Sequence, residues 1–369
     1  MSARGWLPQN ATPFEEAFLL GVSTDAYLGP AISSLHGIKL INPPASFLPY
    51  LVYEYGLGEL SPYVPNIYEL IRDGIEWQRV RGTPASVAKG LGWLSYGGAI
   101  EEEPTRRRFW NAWQVALNRV RSNEQDLRHI EGVCSLSDCE RSDFRRGFNG
   151  YDVRAGEASW SQASQCMTSD DSGVRIDGGA AKWSFGRRVN AVHDMTQAEL
   201  EALGVWTEPT GDEQLVWGDF PWGDFPWGSA AAFARSALML ENTGAGPAWA
   251  VFRDADGEVL FYRRCRVRRP VVAAVNGVYR IGASRFNPAP AAAADLYVEA
   301  LTGFGDGYGS TAASVGFILS AEPAPGVRRG LDVLAAGELQ PAGPVVGETP
   351  VTIEFGRTVR ECVAMLLRF

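Results

Sequence analysis

The sequence predicts an α+β protein of several domains, with a helical N-terminal domain, a loop-rich middle segment and an antiparallel, sandwich-like β domain at the C-terminus. Apolar residues recur at helical spacing in the first part of the chain. Ser, Asp, Gly and Arg dominate the middle, and short alternating runs between turn residues fill the end. We place the three domains at residues 1–125, 126–229 and 230–369.

The composition is that of a folded chain with an acidic balance. Of its 369 residues, 46% are hydrophobic and 21% are charged, as in ordinary globular proteins. The formal net charge of −9 argues against a nucleic-acid partner, because such proteins present a basic surface to phosphates. We see no apolar run long enough for membrane insertion and no secretion signal.

The five cysteines are irregularly spaced. This usage is typical of a protein that folds in a reducing intracellular compartment. A bridge between Cys134 and Cys139, or between Cys134 and Cys166, stays open for a particle released from the cell.

The start of the first predicted helix is marked by a capping motif. Thr12 and Glu15 form a capping box around Pro13 at the first helical position, which predicts a helix through Leu20.

The stretch SFLPYLVYEYGLGEL, residues 46–60, predicts a short helix with one apolar face, formed by Leu48, Leu51, Val52 and Tyr55. Tyr50, Tyr53 and Glu54 then point away from that face, and Gly56 ends the helix.

Further helices are predicted along the chain. Residues 65–79 carry a buried side, and Thr83 with Pro84 begins the next helix. A longer helix is expected at 105–125, with an apolar stripe formed by Phe109, Trp113, Leu117 and Val120, and with Trp110 beside it. Thr196 and Glu199 form a second capping box.

A pentapeptide repeat, WGDFP-WGDFP-WG, occupies residues 217–228. Its prolines and glycines exclude a regular helix or central strand. The aromatic side chains need a surface that buries them, either across the chain's own domains or on a neighbouring subunit.

The C-terminal domain is predicted from two hairpin turns, Asp256-Gly257 and Asn276-Gly277, and from strand candidates at 296–301, 314–319 and 351–355. Alternation places Arg264, Arg266 and Arg268 on one face of a strand. These arginines suit an anionic glycan or an acidic protein partner, or they form an exposed basic edge that resists aggregation.

The sequence offers no catalytic, metal or cofactor motif. His36, His129 and His193 are isolated, and the glycine-rich run 303–309 precedes a strand pattern where a dinucleotide site would need a helix. Glu101, Glu102 and Glu103 are typical of a solvated face. We therefore predict a protein that is not an enzyme and needs no cofactor.

Three ordered segments resemble the phage tail protein I family over residues 5–125. They are GWLPQNATPFE at residues 5–15, SFLPYLVYEYGLGEL at 46–60 and WQRVRGTPASVAKGL at 77–91. The resemblance implies a structural wedge protein of a contractile-tail baseplate, located in the virion and assembled in the host cytoplasm. Its implied partners are other wedge proteins, and hub, sheath-initiator or tail-fibre proteins could join them.

The residue types enriched at protein interfaces mark the candidate contact residues. These are Tyr50, Tyr53, Glu54, Trp77, Arg79, Arg81, Trp110, Trp217, Trp222, Trp227, Arg264, Arg266 and Arg268. Two alternatives stay open: a glycan-binding adhesin that uses the C-terminal β domain, and a tail-associated wall hydrolase.

Overall fold

The computed structural model describes residues 7–8, 10–35, 43–102, 110–120, 124–150, 173–205, 246–289, 295–328, 330–340 and 343–369. The described residues fall into two compact units. The first runs to Ser95 and includes Gly132–Glu140, and the second consists of Tyr96–Glu131 and Arg141–Phe369. The composition of the chain suggests a boundary at residue 125 instead, because composition alone does not reveal the strands that begin soon after Ser95.

The first unit is helical, as predicted. Its helices are α1 (Pro13–Val22), α2 (Asp25–Leu35), α3 (Leu48–Glu54), α4 (Ile67–Val80), α5 (Pro84–Trp93) and the end of α6 (Glu124–Ser137). Thr12 and Glu15 form both hydrogen bonds of the predicted capping box at the start of α1. Gly56, with φ of +64°, follows the end of α3, where the left-handed conformation favours glycine.

The core of this unit gathers apolar residues from α3, α4 and the segment between them. Leu48 and Leu51 are buried there, and Val52 and Tyr55 pack against the same cluster, so the predicted apolar face of α3 is confirmed. Gly90 of α5 lies so close to Val133 of α6 that a side chain at position 90 would collide with it. The two helices therefore pack at a distance that a glycine makes possible.

The second unit is built on a large sheet. Its strands are β1 (Gly98–Glu102), β2 (Ala112–Leu117), β3 (Asp143–Asn149), β4 (Lys182–Asp194), β5 (Trp249–Arg253), β6 (Val259–Ala273), β7 (Tyr279–Ile281), β8 (Ser284–Pro288), β9 (Asp295–Leu301), β10 (Thr311–Ile318), β11 (Glu322–Pro323), β12 (Val333–Ala335), β13 (Leu339–Gln340), β14 (Val345–Glu354) and β15 (Val359–Arg368). A short helix, α7 (Gln197–Ala202), follows β4. Among the described residues, thirteen strands form one sheet with the main order β1-β2-β3-β4-β15-β9-β6-β5-β10-β14, and β11 pairs with β13 separately.

The long strand β6 belongs to both halves of this sheet. Its first part pairs with β5 and β12, and its second part pairs with β9 and β8. A β-bulge between Cys265 and Val267 separates the two parts, and bulges bend and twist a strand. The two halves share one core, in which Phe252 and Phe317 from one half join Val298 and Met365 from the other.

The prediction of a helix at 105–125 is wrong for the described residues, where β2 occupies Ala112–Leu117. Trp113 and Val115 are buried, and so is the intervening Gln114. A strand buried on both faces loses the polar–apolar alternation of period two, so its apolar residues can match a helical stripe by chance.

The prediction of a loop-rich middle segment is also wrong for the residues of that segment that the structure describes. Strands β3 and β4 lie in this segment and pair with each other in parallel. The buried aromatic residues Phe144, Trp183 and Phe185 contact one another in series, at centroid distances of 6.1 Å. Arg, Ser and Gly residues lie between these aromatic residues, so the composition of the segment does not indicate strands.

The sheet is mostly antiparallel, with parallel pairs between β2 and β3, between β3 and β4, and between β4 and β15. The described strand pairs within residues 230–369 are all antiparallel, as predicted for the C-terminal domain, but β15 also pairs in parallel with β4, which lies outside that domain. That pairing joins strands far apart in sequence, and no local turn signal can reveal it.

One of the two predicted hairpins is confirmed. Asp256-Gly257 joins β5 to β6, which pair antiparallel. At Asn276-Gly277 the prediction is wrong, because β7 pairs with β8, and β8 pairs with β6. This arrangement buries Val271 with Phe286 in one cluster, a gain that outweighs the local turn preference.

Glu199 links three elements of the second unit. Its carboxylate lies 2.9 Å from Nε2 of His193 on β4, and it accepts N–H groups of Thr196 at 2.9 Å and of Gly347 at 3.0 Å. Burial raises the pKa of Glu199, but these hydrogen bonds outweigh burial and lower the pKa to about 2. The second predicted capping box is thus confirmed, and it also ties α7 to β4 and β14.

We expect Glu199→Gln to lower the free energy of unfolding by about 2 kcal/mol at neutral pH, since hydrogen bonds to a charged group are lost. The folded-state pKa lies below the ordinary value of 4.5. The stabilisation is therefore complete above that value and is lost as the pH falls toward about 2.

Urea unfolding at neutral and acidic pH measures this effect. Glu201→Gln, at an exposed position of the same helix, is the matched control and should leave stability unchanged. A deficit of Glu199→Gln that stayed constant into strong acid would contradict the assignment.

Candidate assembly surface

Helix α1 is formed without burying any of its residues. Phe14 and Phe18 stack on each other with ring centroids 6.4 Å apart, and they are 77% and 63% exposed. Leu20 and Val22 are also exposed. A helix of this kind gains little from its own chain, because helical stability in proteins comes mainly from packing an apolar face.

Apolar exposure continues into α2, where Tyr27, Leu28 and Ile32 are exposed. Exposed apolar patches of this kind mark interaction sites in soluble proteins. None of the predicted contact residues lies in α1 or α2. The signal was present in α1, since the segment PFEEAFLLGV is apolar on more than one helical face.

The two tyrosines of α3 lie where the sequence predicts them. Tyr50 is 69% exposed and Tyr53 is 89% exposed, whereas Leu48 and Leu51 of the same helix are buried. Glu54 is exposed beside them, at helical spacing from Tyr50. Exposed tyrosines on an ordered helix are suited to binding, because they bring a large contact area with few rotatable bonds.

The end of α4 lies next to the end of α3, where the side chain of Gln78 donates a hydrogen bond to the carbonyl of Tyr55. Arg79 and Arg81 follow at this end of α4 and are exposed. The Nε atom of Arg81 donates to the carbonyl of Leu136 at 3.0 Å. That contact holds the guanidinium in place without covering it.

Trp77 is not a contact residue. It is 3% exposed, its indole N–H donates to the hydroxyl of Ser137 at 3.0 Å, and Arg81 lies over its ring at 5.3 Å. The prediction of Trp77 as a contact residue is therefore wrong, because its side chain lies in the core. The sequence shows a tryptophan among arginines, but the helical face that carries Leu70 and Ile71 also carries Trp77 into the core.

Trp110 lies at a turn of the second unit and is 63% exposed. It therefore stays a predicted contact residue. Trp217, Trp222 and Trp227 of the WGDFP repeat lie outside the described residues.

The three arginines of β6 do not share a face. Arg266 lies at the bulge and, like Val267, lines a cleft on one face of the sheet. Arg268 instead lies near Cys265, which packs against the large core on the other face. Arg264 is exposed on the first part of the strand. The bulge adds one residue and so reverses the alternation that predicted a single basic face.

The two described histidines lie in different surroundings. His129 is exposed, His193 contacts Glu199, and His36 lies outside the described residues. Across the described residues, no group of three or more His, Cys, Asp and Glu side chains could hold a metal ion. Cys134 and Cys139, both described, are not bonded to each other, and Cys166 lies outside the described residues.

A cleft of about 800 Å³ in the second unit contains charged groups that pair within it. Arg357 lies 3.2 Å from Glu124 and 3.7 Å from Asp177, and it also donates to the hydroxyl of Tyr308. These ion pairs join the start of α6 and the segment before β4 to the turn after β14. No described helix combines the length and the apolar content that a membrane span requires.

Residues 7–135 match a family model described as phage tail protein (Tail_P2_I). The resemblance seen in the sequence is therefore confirmed for this part of the chain. The matched region contains α1–α5 and with them the exposed aromatic residues of α1 and α3. No curated protein matches the chain.

Proposed function

We propose that the protein is a structural component of a contractile phage tail and that it assembles with other wedge proteins in the baseplate. The observation that carries the proposal is an ordered helix, α1, that buries none of its residues and lies within the region matched to a phage tail family. An apolar helix formed without an internal partner is what an assembly protein presents to its neighbours.

The contact surface consists of the exposed apolar residues of α1 and α2 together with Tyr50, Tyr53, Glu54, Arg79 and Arg81. Partners are other baseplate proteins, and hub, sheath-initiator and tail-fibre proteins are further candidates. Obligate assemblies of this type bury about 2,000 Å² or more per interface. The proposed location is the tail of the virion, after assembly in the host cytoplasm.

The proposed role is mechanical rather than enzymatic. Interfaces between packed subunits hold one ring geometry and then rearrange when the sheath contracts, as bistable interfaces do. Clearing of host cell walls by the purified protein in a zymogram would contradict this part of the proposal.

Electron microscopy of particles produced without this protein tests the structural role. We expect tails without complete baseplates, or free sheaths and tubes, and a loss of infectious particles that expression of the intact chain restores. Normal baseplates in the absence of the protein would contradict the proposal.

A further inference from the structure

A second surface, in the β-rich unit, forms a basic cleft of about 700 Å³. It lies between one face of the sheet and the hairpin formed by β7 and β8. Its lining residues come from five strands, the loop before β7 and the turn between β7 and β8, and they include Arg188, Asn190, Arg266, Arg280, Arg285 and Glu299.

The strand register shows which residues of the sheet form the floor of the basic cleft. Ala364 of β15 pairs with Asn190 on one side and with Glu299 on the other, and Glu299 pairs with Val267. Paired residues of adjacent strands point to the same face of a sheet. Ala364 in the middle of this row is buried, and Asn190 and Glu299 on its two sides line the cleft.

The hairpin that forms the wall is held by aromatic stacking. The rings of Tyr279 on β7 and Tyr297 on β9 are stacked, with centroids 4.7 Å apart and planes at 22°. Ile281 and Phe286 of the hairpin are buried in the same cluster as Tyr297. The wall is therefore packed against the floor, and the basic cleft is preformed.

Four arginines face one carboxylate in this basic cleft. Arg188 belongs to the floor, Arg266 lies at the bulge of β6, and Arg280 and Arg285 belong to the hairpin. The Nε atom of Arg266 lies 3.8 Å from Glu299, and Nε of Arg280 donates to the carbonyl of Gly282 at 2.7 Å. This local positive excess stands out in a chain whose formal net charge is −9.

The floor provides binding groups rather than a nucleophile. The hydroxyl of Tyr297 donates to Glu299 at 2.6 Å, and burial together with that carboxylate raises the pKa of Tyr297. Burial also raises the pKa of Cys362, on the neighbouring strand, to about 12. Both groups are therefore protonated at neutral pH, and the thiol is unreactive.

We propose that the basic cleft binds a sugar residue that carries a carboxylate. Planar guanidinium groups bind carboxylates through paired hydrogen bonds, and Arg280 and Arg285 are exposed on the wall. The amide of Asn190 and the carboxylate of Glu299 add acceptors for sugar hydroxyl groups. The volume of about 700 Å³ is that of a small-molecule site.

The acceptors distinguish this ligand from an acidic peptide. A peptide rich in Asp and Glu offers carboxylates to the arginines but few hydroxyl donors to Asn190 and Glu299. A carboxylated sugar satisfies both the arginines and the acceptors. The residues of the basic cleft are different from those of the proposed assembly surface, so sugar binding and assembly can be tested separately.

Titration calorimetry of the full-length protein tests the proposal. The probes are glucuronic acid, galacturonic acid and N-acetylneuraminic acid, with glucose as the neutral control and a hexaglutamate peptide as the acidic control. We expect at least one acidic sugar to bind, with affinity that weakens as salt rises. Glucose and the peptide should bind at least about tenfold more weakly, since each loses charge-assisted or hydroxyl contacts.

The variant Arg280→Gln/Arg285→Gln should weaken binding of the acidic sugar by about tenfold or more, and Arg188→Gln should weaken it independently from the floor. The matched control Arg264→Gln/Arg328→Gln removes two exposed arginines that do not line the basic cleft, and it should leave binding unchanged. Unchanged thermal unfolding of each variant shows that the fold is intact. Absence of binding by all three acidic sugars, tighter binding of the peptide, or equal loss in the control would overturn the proposal.

Discussion

The double variant Tyr50→Ala/Tyr53→Ala is expected to fold normally and to fail in tail assembly. Both side chains are exposed on α3, by 69% and 89%, so their removal takes away almost no internal packing. Alanine is also a better helix former than tyrosine, and α3 should be preserved. Thermal unfolding of the isolated variant should therefore match that of the unmodified protein.

The assembly defect should be large. Aromatic residues at the centre of an interface typically contribute about 2 kcal/mol or more each. Loss of two such residues corresponds to a decrease in affinity of roughly a thousandfold. Counting infectious particles, together with immunoblots of purified tails, measures incorporation of the variant.

Two control variants distinguish the loss of a contact with a partner from the loss of packing in the protein's own core. Tyr55→Ala alters a residue that packs against the core of the same unit, and it should lower thermal stability. Val272→Ala/Val275→Ala removes exposed apolar surface from the β-rich unit. Normal assembly of the tyrosine double variant, or a lowered unfolding temperature for it, would show that α3 is not a contact surface.

The second large effect concerns the ion pair between Arg187 on β4 and Glu361 on β15. Their side chains lie 2.6 Å apart, and the carboxylate is 2% exposed whereas the guanidinium is 30% exposed. Arg187→Ala leaves this carboxylate buried without its cation, and we expect a loss of about 3–5 kcal/mol in the free energy of unfolding.

The pH dependence of this variant has a definite sign. Burial raises the pKa of Glu361 above its ordinary value, and Arg187 offsets part of that rise. A carboxyl whose folded-state pKa lies above the unfolded value binds its proton more readily when folded, so ionisation destabilises the fold as the pH rises. The deficit of Arg187→Ala should therefore shrink in acid, where Glu361 becomes protonated.

Urea unfolding at neutral and acidic pH measures both effects. The double variant Arg187→Met/Glu361→Leu removes the two charges together and should recover most of the lost stability, because a buried ion pair is often replaceable by apolar side chains. If the single and double variants were equally unstable, packing rather than the buried charge would account for the loss.

Local signals in the sequence predicted the helical unit well. The capping box of Thr12 and Glu15, the spacing of Leu48 and Leu51, and the glycine after α3 all act within one or two helical turns. In α3 the tertiary packing agrees with the local signal, because the spacing that predicts the apolar face also brings Leu48 and Leu51 into the core. The same spacing predicted the outward positions of Tyr50 and Tyr53, which are exposed.

The β-rich unit could be predicted only in part, because its determinants are distant in sequence. Strand β2 is buried on both faces, and β4 acquires its parallel partner β15 from the end of the chain. The bulge beside Arg266 arises from the pairing of β6 with β9, and no sequence pattern within β6 predicts it. The basic cleft depends on that bulge and on the unexpected pairing of β7 with β8.

Co-expression of this chain with baseplate wedge proteins tests the assembly role most directly. We predict a complex of fixed stoichiometry in size-exclusion chromatography with light scattering. We further predict that chemical cross-links or hydrogen-exchange protection will map to α1 and α3, within residues 7–135. A chain that stays monomeric in the presence of those proteins, with α1 and α3 as accessible as in isolation, would contradict the account.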